Sequence, residues 1–243
     1  MTATCTLSIA ELTGRFPEFR VALVVVDGVA IPAAAPPATE AWIAETCDRA
    51  ARDLGQRELG SLPELQCWRA AYKAFGEKKT SYRSSVERLL KALQRGPGLP
   101  RVNPFVDVYN AVSVAFRMPV GADDLDLVRP PLAFRFSRPD DSFIALGDPA
   151  AIDDPPKPGE VVYADTNKCL CRRWNWYQDA RSAIRPESRR AALTIQSHCP
   201  ETAARLEEAV DLLRRRLAEV CGGQGAWAIA QAGAPAVRVE AAA

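Results

Sequence analysis

VNPFVDVYNAVSVAFRMPVGADDLD, Val102 to Asp126, carries a helix, its cap and the change to strands in one stretch. Asn103 is a good helix cap, and Pro104 suits the first turn because its missing N–H is not needed there. The pattern therefore predicts a helix over Pro104–Phe116, with Val106, Tyr109, Asn110 and Ser113 on one face and Asp107 three residues before Asn110. An aspartate, an asparagine and a serine among apolar neighbours are costly unless hydrogen-bonded. Either they tie the helix to an adjoining strand or they line a pocket. After Pro119 the helical period gives way to strands.

Upstream, RVALVVVDGV (Arg20 to Val29) is a β-branched run stopped by Asp27-Gly28, as expected of a buried strand and a turn. Three helices are expected before the quoted one: from a cap at Thr39 to Leu54, over Leu62–Phe75, and over Ser84–Arg95 until Gly96-Pro97-Gly98. Downstream, PLAFRFS (131–137) alternates, and SFIALG is expected to answer it as a hairpin across Arg138 to Asp141. GEVVYAD and KCLCRRWNW form a second expected hairpin, AALTIQSH another strand, and Thr202 to Val220 one long helix. The Ala- and Gly-rich end from residue 222 to 243 is expected to fray, and residues 1–19 to be an extension. Between them, 20–221 should form a single mixed α/β domain with helices in its first half and largely antiparallel strands in its second.

The chain has 243 residues, 48% hydrophobic and 25% charged, enough for one sizeable core. No apolar run is long enough to span a bilayer, and the N-terminus has no secretion signal. Seven irregularly spaced cysteines argue for a reducing compartment, so the expectation is cytoplasmic, without a membrane partner. Net charge is only +1, but it is unevenly spread. Arg69–Arg101 holds nine basic residues against two acidic ones, Lys168–Arg190 seven against two, and Arg138–Asp165 seven acids against two bases. That asymmetry suggests a polarised surface.

No phosphate loop, dinucleotide fingerprint or nucleophile elbow is present, so no cofactor is expected. His198 is the sole histidine, which leaves little material for a histidine triad. Cys169 and Cys171 share a face if their strand alternates, but their spacing is narrow for structural zinc, and no metal is expected. Tyr82, Arg83, Ser84 and Ser85 lie at a helix start, where free N–H groups favour an anion. On spacing alone, a capping box between Ser84 and Glu87 is favoured there.

In this order, YRSSVERLL, NPFVDVYNAVSVAFRMPVGADDLD, PKPGEVVYAD and CRRWNWYQD resemble the editing module formed by the third and fourth domains of the phenylalanyl-tRNA synthetase beta subunit, and above all its free-standing relatives. The resemblance runs from about Val21 to Val220, and nothing resembles the synthetase's activation or anticodon-binding domains. It implies a fold of that module's type, tRNA rather than DNA as partner, and hydrolysis in trans of the ester on a mischarged tRNA. On the family pattern, Asn110, Arg173 and Asn175 would be catalytic, and Tyr82, Arg83, Ser84, Ser85, Gly121 and Arg172 would bind substrate. The chain departs from the family at Pro119-Val120-Gly121-Ala122-Asp123-Asp124, where the synthetase has Pro-Leu-His-Ala-Phe-Asp, so the editing histidine falls on Gly121. The synthetase's Gly-Gly-Glu segment is also replaced, around Trp174 to Ala180. A non-catalytic binder of tRNA or of a free amino acid is the alternative reading. As a strand, CRRWNWYQD would send Arg173, Asn175 and Tyr177 to one side, with Trp174 and Trp176 packing on the other.

Overall fold

The computed structural model describes residues 4–79, 81–96, 98–148 and 150–241. Its organising strand is the β-branched run. In β2 (Arg20–Asp27) every residue from Val21 to Val26 is buried, because alternate side chains enter two different cores. Val21, Leu23 and Val25 point between two sheets, whereas Ala22, Val24 and Val26 point at helices. A continuous apolar run is what a strand covered on both faces requires.

β2 lies inside a four-stranded antiparallel sheet of order β3-β8-β2-β9, with β3 at Val120–Asp124, β8 at Arg190–Ser197 and β9 at Gln224–Ala230. Facing it is a six-stranded sheet of order β10-β1-β4-β5-β6-β7. Its strands are β1 (Thr4–Ser8), β4 (Leu132–Phe136), β5 (Val161–Ala164), β6 (Cys169–Arg172), β7 (Tyr177–Gln178) and β10 (Ala236–Glu240). All its pairings are antiparallel except β1 with β4. Leu7, Phe19, Phe134 and Trp174 fill the space between the sheets. On the other side of the four-stranded sheet, α4 (Pro104–Phe116) and α6 (Leu206–Cys221) close a second core. α1 (Pro37–Leu54), α2 (Pro63–Ala74) and α3 (Ser85–Arg95) build a third around Leu54, Leu65, Val86 and Leu90, into which α4 contributes Val114. Among the described residues no helix is long and apolar enough to cross a membrane.

The mixed α/β architecture with its antiparallel strands is as expected, and α4 has the expected bounds. Asn103 caps it, its side chain accepting from the Val106 N–H at 3.0 Å. Five expectations need correction. Of the expected extension, residues 4–19 are part of the fold, since β1 pairs with both β4 and β10, and 1–3 lie outside the described residues. Likewise, over residues 222–241 the expected tail is not fraying: β9 covers one edge of β2, and β10 pairs with β1 along its whole length, while 242 and 243 lie outside the described residues. Ala226 and Ala228 face the inter-sheet core while Trp227 and Ile229 face the helices, so an alternating strand reads as low complexity because one of its faces is alanine. β4 pairs with β5 instead of SFIALG; Arg135 and Asp141, both buried, join through bonds of 2.6 and 2.8 Å and fold the intervening turn inward. Finally, the long helix is split into α5 (Pro200–Ala203) and α6, and Thr39 lies inside α1, which starts at Pro37.

Val239 on β10 is only 3% exposed. Val239→Asp buries a carboxylate without a partner and should cost about 2–4 kcal/mol in urea unfolding; a flexible tail would leave the midpoint unchanged.

Candidate ligand cavity between the sheets

A cavity of about 760 Å³ lies where β3 and β8 meet the second sheet under α3 and α4. Register explains its walls: Gly121 pairs with Thr194 and Asp123 with Ala192, so Gly121, Asp123, Thr194 and Gln196 share the inner face of their sheet. The helices add Val106, Tyr109 and Asn110 from α4 and Ser85, Arg88 and Leu89 from α3. Opposite stand Tyr163, Cys171 and Asn175 to Gln178. A Cβ placed on Gly121 meets nothing within 4 Å, so a side chain here would project into open space.

Three of the polar residues that line the cavity are underused. Asp123 is 4% exposed; its Oδ1 accepts from Ser182 Oγ at 2.7 Å and Gln178 Nε2 at 3.2 Å, while Oδ2 has no hydrogen-bond partner among the described residues. Burial pushes the Asp123 carboxyl up to about 7, against the opposing pull of the Ser182 and Gln178 bonds and of Lys168. The Tyr163 hydroxyl is buried without a partner, and burial holds its pKa well above the ordinary value. The Asn110 amide makes no hydrogen bond to another described residue, although Asn110 is buried. Its helix neighbours behave differently. Asp107 accepts from the Val102 N–H at 2.9 Å and pairs with Arg101 at 3.1 Å, and Ser113 donates to the Met118 carbonyl at 2.6 Å. Of the polar residues on α4, two tie the helix down and one lines the pocket.

The expected site residues divide into groups. Asn110, Gly121, Ser85 and Asn175 come together around the cavity. The Asn175 amide is already committed, accepting from the Tyr72 hydroxyl at 3.0 Å and donating to Gln196 at 2.9 Å. Tyr82, Arg83 and Ser84 line a neighbouring pocket of about 400 Å³ with Trp68, Tyr72 and Lys79. The capping box does not form: the Ser84 hydroxyl is buried without a partner, and Glu87 instead takes Arg69 at 2.6 Å and Arg83 at 3.0 Å.

Arg172 and Arg173 are not free to bind substrate oxygens. Arg172, 1% exposed, gives Nε and Nη2 to Glu160 at 3.0 and 2.9 Å and Nη1 to Asp154. Arg173 pairs with Glu77 at 3.0 Å, and its guanidinium lies 3.7 Å from the Tyr82 ring centroid and 4.6 Å from that of Trp176. The single-strand reading of CRRWNWYQD fails because Arg173 and Trp174 take left-handed backbone angles, φ 47° and 67°, and turn β6 back into β7. Trp174 packs as expected, fully buried against Phe16, Phe19 and Trp68. A bulge at Leu170 likewise separates the two cysteines: Cys169 enters a small cluster with Phe143 and Val162, whereas Cys171 lines the cavity. His198 sits among Phe16, Phe19, Trp68 and Trp174, away from the cavity lining.

Sequence reading missed Asp123, Tyr163, Thr194, Gln196 and Gln178. Of these, Asp123 is the acidic one. Its raised folded-state pKa means that the protonated form is favoured by the fold, so this stability is present at low pH and is lost as pH climbs from the unfolded value of 3.8 through about 7. Asp123→Asn retains an acceptor for Ser182 and Gln178. It should raise stability by up to about 3 kcal/mol at pH 8 and by little at pH 4, read from unfolding curves at the two pH values.

The B3/4 domain family model matches residues 67–217. A solved N-terminal fragment of the phenylalanyl-tRNA synthetase beta-subunit from Pyrococcus horikoshii is similar at 11% identity and a TM-score of 0.48, covering 91% of this chain and 50% of that one. The chain thus spans about half the length of that fragment. No curated protein sequence matches it significantly. With well over half of its length matched by the family model, the chain belongs to the B3/4 domain family.

Proposed function

We propose that the chain is a cytoplasmic, trans-acting deacylase that hydrolyses the ester of a mischarged aminoacyl-tRNA. The observation that carries this reading is the cavity of a B3/4 domain in which the Asn110 amide is free and Gly121 leaves room beside it. An aminoacyl group fits a mostly apolar pocket with a few convergent polar groups. Asn110 donates to the developing oxyanion as a water attacks the carbonyl carbon; the bond from that carbon to the ribose oxygen then breaks, and the adjacent ribose hydroxyl of the substrate relays the water's proton to the departing ribose oxygen, releasing free amino acid and tRNA. Arg173 and Asn175 act as positioning residues, the first through Tyr82 and Trp176 and the second through Tyr72 and Gln196. The RNA approaches along α3: Arg88, Lys91 and Arg95 are exposed there and form no ion pair with another described residue. Clustered cations of this kind supply phosphate affinity.

A second reading, a binder without turnover, is favoured by one feature: no histidine lines the cavity, and the position that carries one in the synthetase is Gly121.

The test is release of amino acid from a panel of mischarged tRNAs. The parent should accelerate at least one, and Asn110→Ala should lower kcat about 10²-fold or more, as loss of an oxyanion donor does. No acceleration with any substrate, alongside retained tRNA binding, favours the binder. In either case, Lys91→Glu with Arg95→Glu should weaken tRNA binding and make it less steeply salt-dependent, by about one slope unit per lost phosphate contact.

A further inference from the structure

Asp123 is a buried carboxylate without a cation. Its two hydrogen-bond partners, Ser182 and Gln178, are neutral and both act on Oδ1. Lys168, whose field reaches it, spends its ammonium on Asp165 at 3.1 Å and on the Leu127 carbonyl at 2.8 Å. Arg181 is held by Asp179 at 2.7 Å. Buried charges in proteins are normally paired, because an uncompensated one costs several kcal/mol. Here the unpaired oxygen belongs to a residue that lines the cavity, so a ligand can supply the missing charge.

A second observation, independent of the first, points the same way. Tyr163, on a strand of the opposite sheet, lines the same cavity, and its hydroxyl is buried and has no partner. An orphaned hydroxyl of this kind is rare in folded proteins and needs an explanation. Two unmet polar groups from opposite walls therefore share one otherwise largely apolar space. At the α3 side of that space, Arg88 is the charged residue. The cavity is polar in an ordered sense, with a carboxyl group on the sheet and a cation on the helix.

We propose that Asp123 and Tyr163 form an ammonium subsite: a primary ammonium group of the ligand donates to Asp123 Oδ2, its counter-ion, and to the Tyr163 hydroxyl oxygen. This deepens the deacylase reading, and rests on it for taking the cavity as the ligand site, by assigning the charge of the group that enters. An ammonium has three donors, enough to reach both acceptors, and the opposite end of the same ligand, ester or phosphate, then lies toward Arg88. The ammonium can come from the α-amino group of the aminoacyl moiety or from a basic side chain.

Calorimetric titration with small probes tests this without tRNA or turnover. The parent should bind 2-phenylethylamine at least about tenfold more tightly than 2-phenylethanol, the margin of a charge-assisted bond over a neutral one. Asp123→Asn should abolish that margin while leaving 2-phenylethanol within about twofold, and Tyr163→Phe, which removes only the orphan hydroxyl, should reduce it in part. L-phenylalaninamide and Nα-acetyl-L-lysinamide then separate the two sources: Asp123-dependent binding of either supports the subsite and identifies its ammonium. Equal affinity for the amine and the alcohol, a margin that survives Asp123→Asn, or no binding of either ammonium probe overturns it. Because the probes contain no tRNA ester, failure in the deacylation panel with success here removes the activity and leaves the subsite, and the converse result removes the subsite alone.

Discussion

Glu160 holds the chain reversal on which the cavity wall depends. Its Oε1 accepts from Arg172 Nε at 3.0 Å and from the Arg173 N–H at 2.9 Å, and its Oε2 accepts from Arg172 Nη2 at 2.9 Å. These bonds brace two consecutive non-glycine residues with positive φ, each of which costs about 1–2 kcal/mol of backbone strain. The reversal drops Trp174 between the sheets, where its backbone N–H reaches the Val161 carbonyl at 2.6 Å and its ring meets Phe16, Phe19 and Trp68. Asn175 is then delivered to Tyr72 and Gln196, and Trp176 to Tyr82 and Arg173. The two arginines of this segment are thus builders of the site, and their charge is neutralised within the fold.

The same economy separates two adjacent aspartates. Asp124 receives the Ser188 hydroxyl at 2.5 Å and the Asp126 N–H at 2.9 Å, a local tie at the end of β3. Asp123, one residue earlier and on the other face of the strand, has only part of its hydrogen-bonding capacity met. Arg135, Asp141, Lys168 and Arg172 are satisfied within the fold, whereas three residues that line the cavity, Asp123, Tyr163 and Asn110, are left short of partners.

The parts legible in the sequence were those governed by local rules. α4 was readable from Asn103, Pro104 and its apolar face, α3 from Gly96, and β5 with β6 from their short connection. What escaped was decided by distant partners. Nothing local to Gln224–Ala230 reveals that its alanine face will lie against β2, or that β10 will find β1 at the other end of the chain. The turn at Arg173–Trp174 lacks glycine, so its left-handed geometry depends on Glu160, thirteen positions upstream of Arg173. The motif pattern singles out Asn110, Gly121, Ser85 and Asn175, which line the cavity, whereas it cannot place Arg172, because a buried ion pair looks, in sequence, like any exposed arginine. Asp123 and Tyr163 were missed because each looks ordinary until opposite walls are brought together.

The most direct test of the account is a crystal structure with a non-hydrolysable aminoacyl-adenosine in which an amide replaces the ester. The account requires the aminoacyl group to occupy the space between β3, β8 and α4, with its carbonyl oxygen within hydrogen-bond distance of the Asn110 amide and its adenosine toward α3. Density for the analogue at another surface, with this cavity left filled only by solvent, would contradict it.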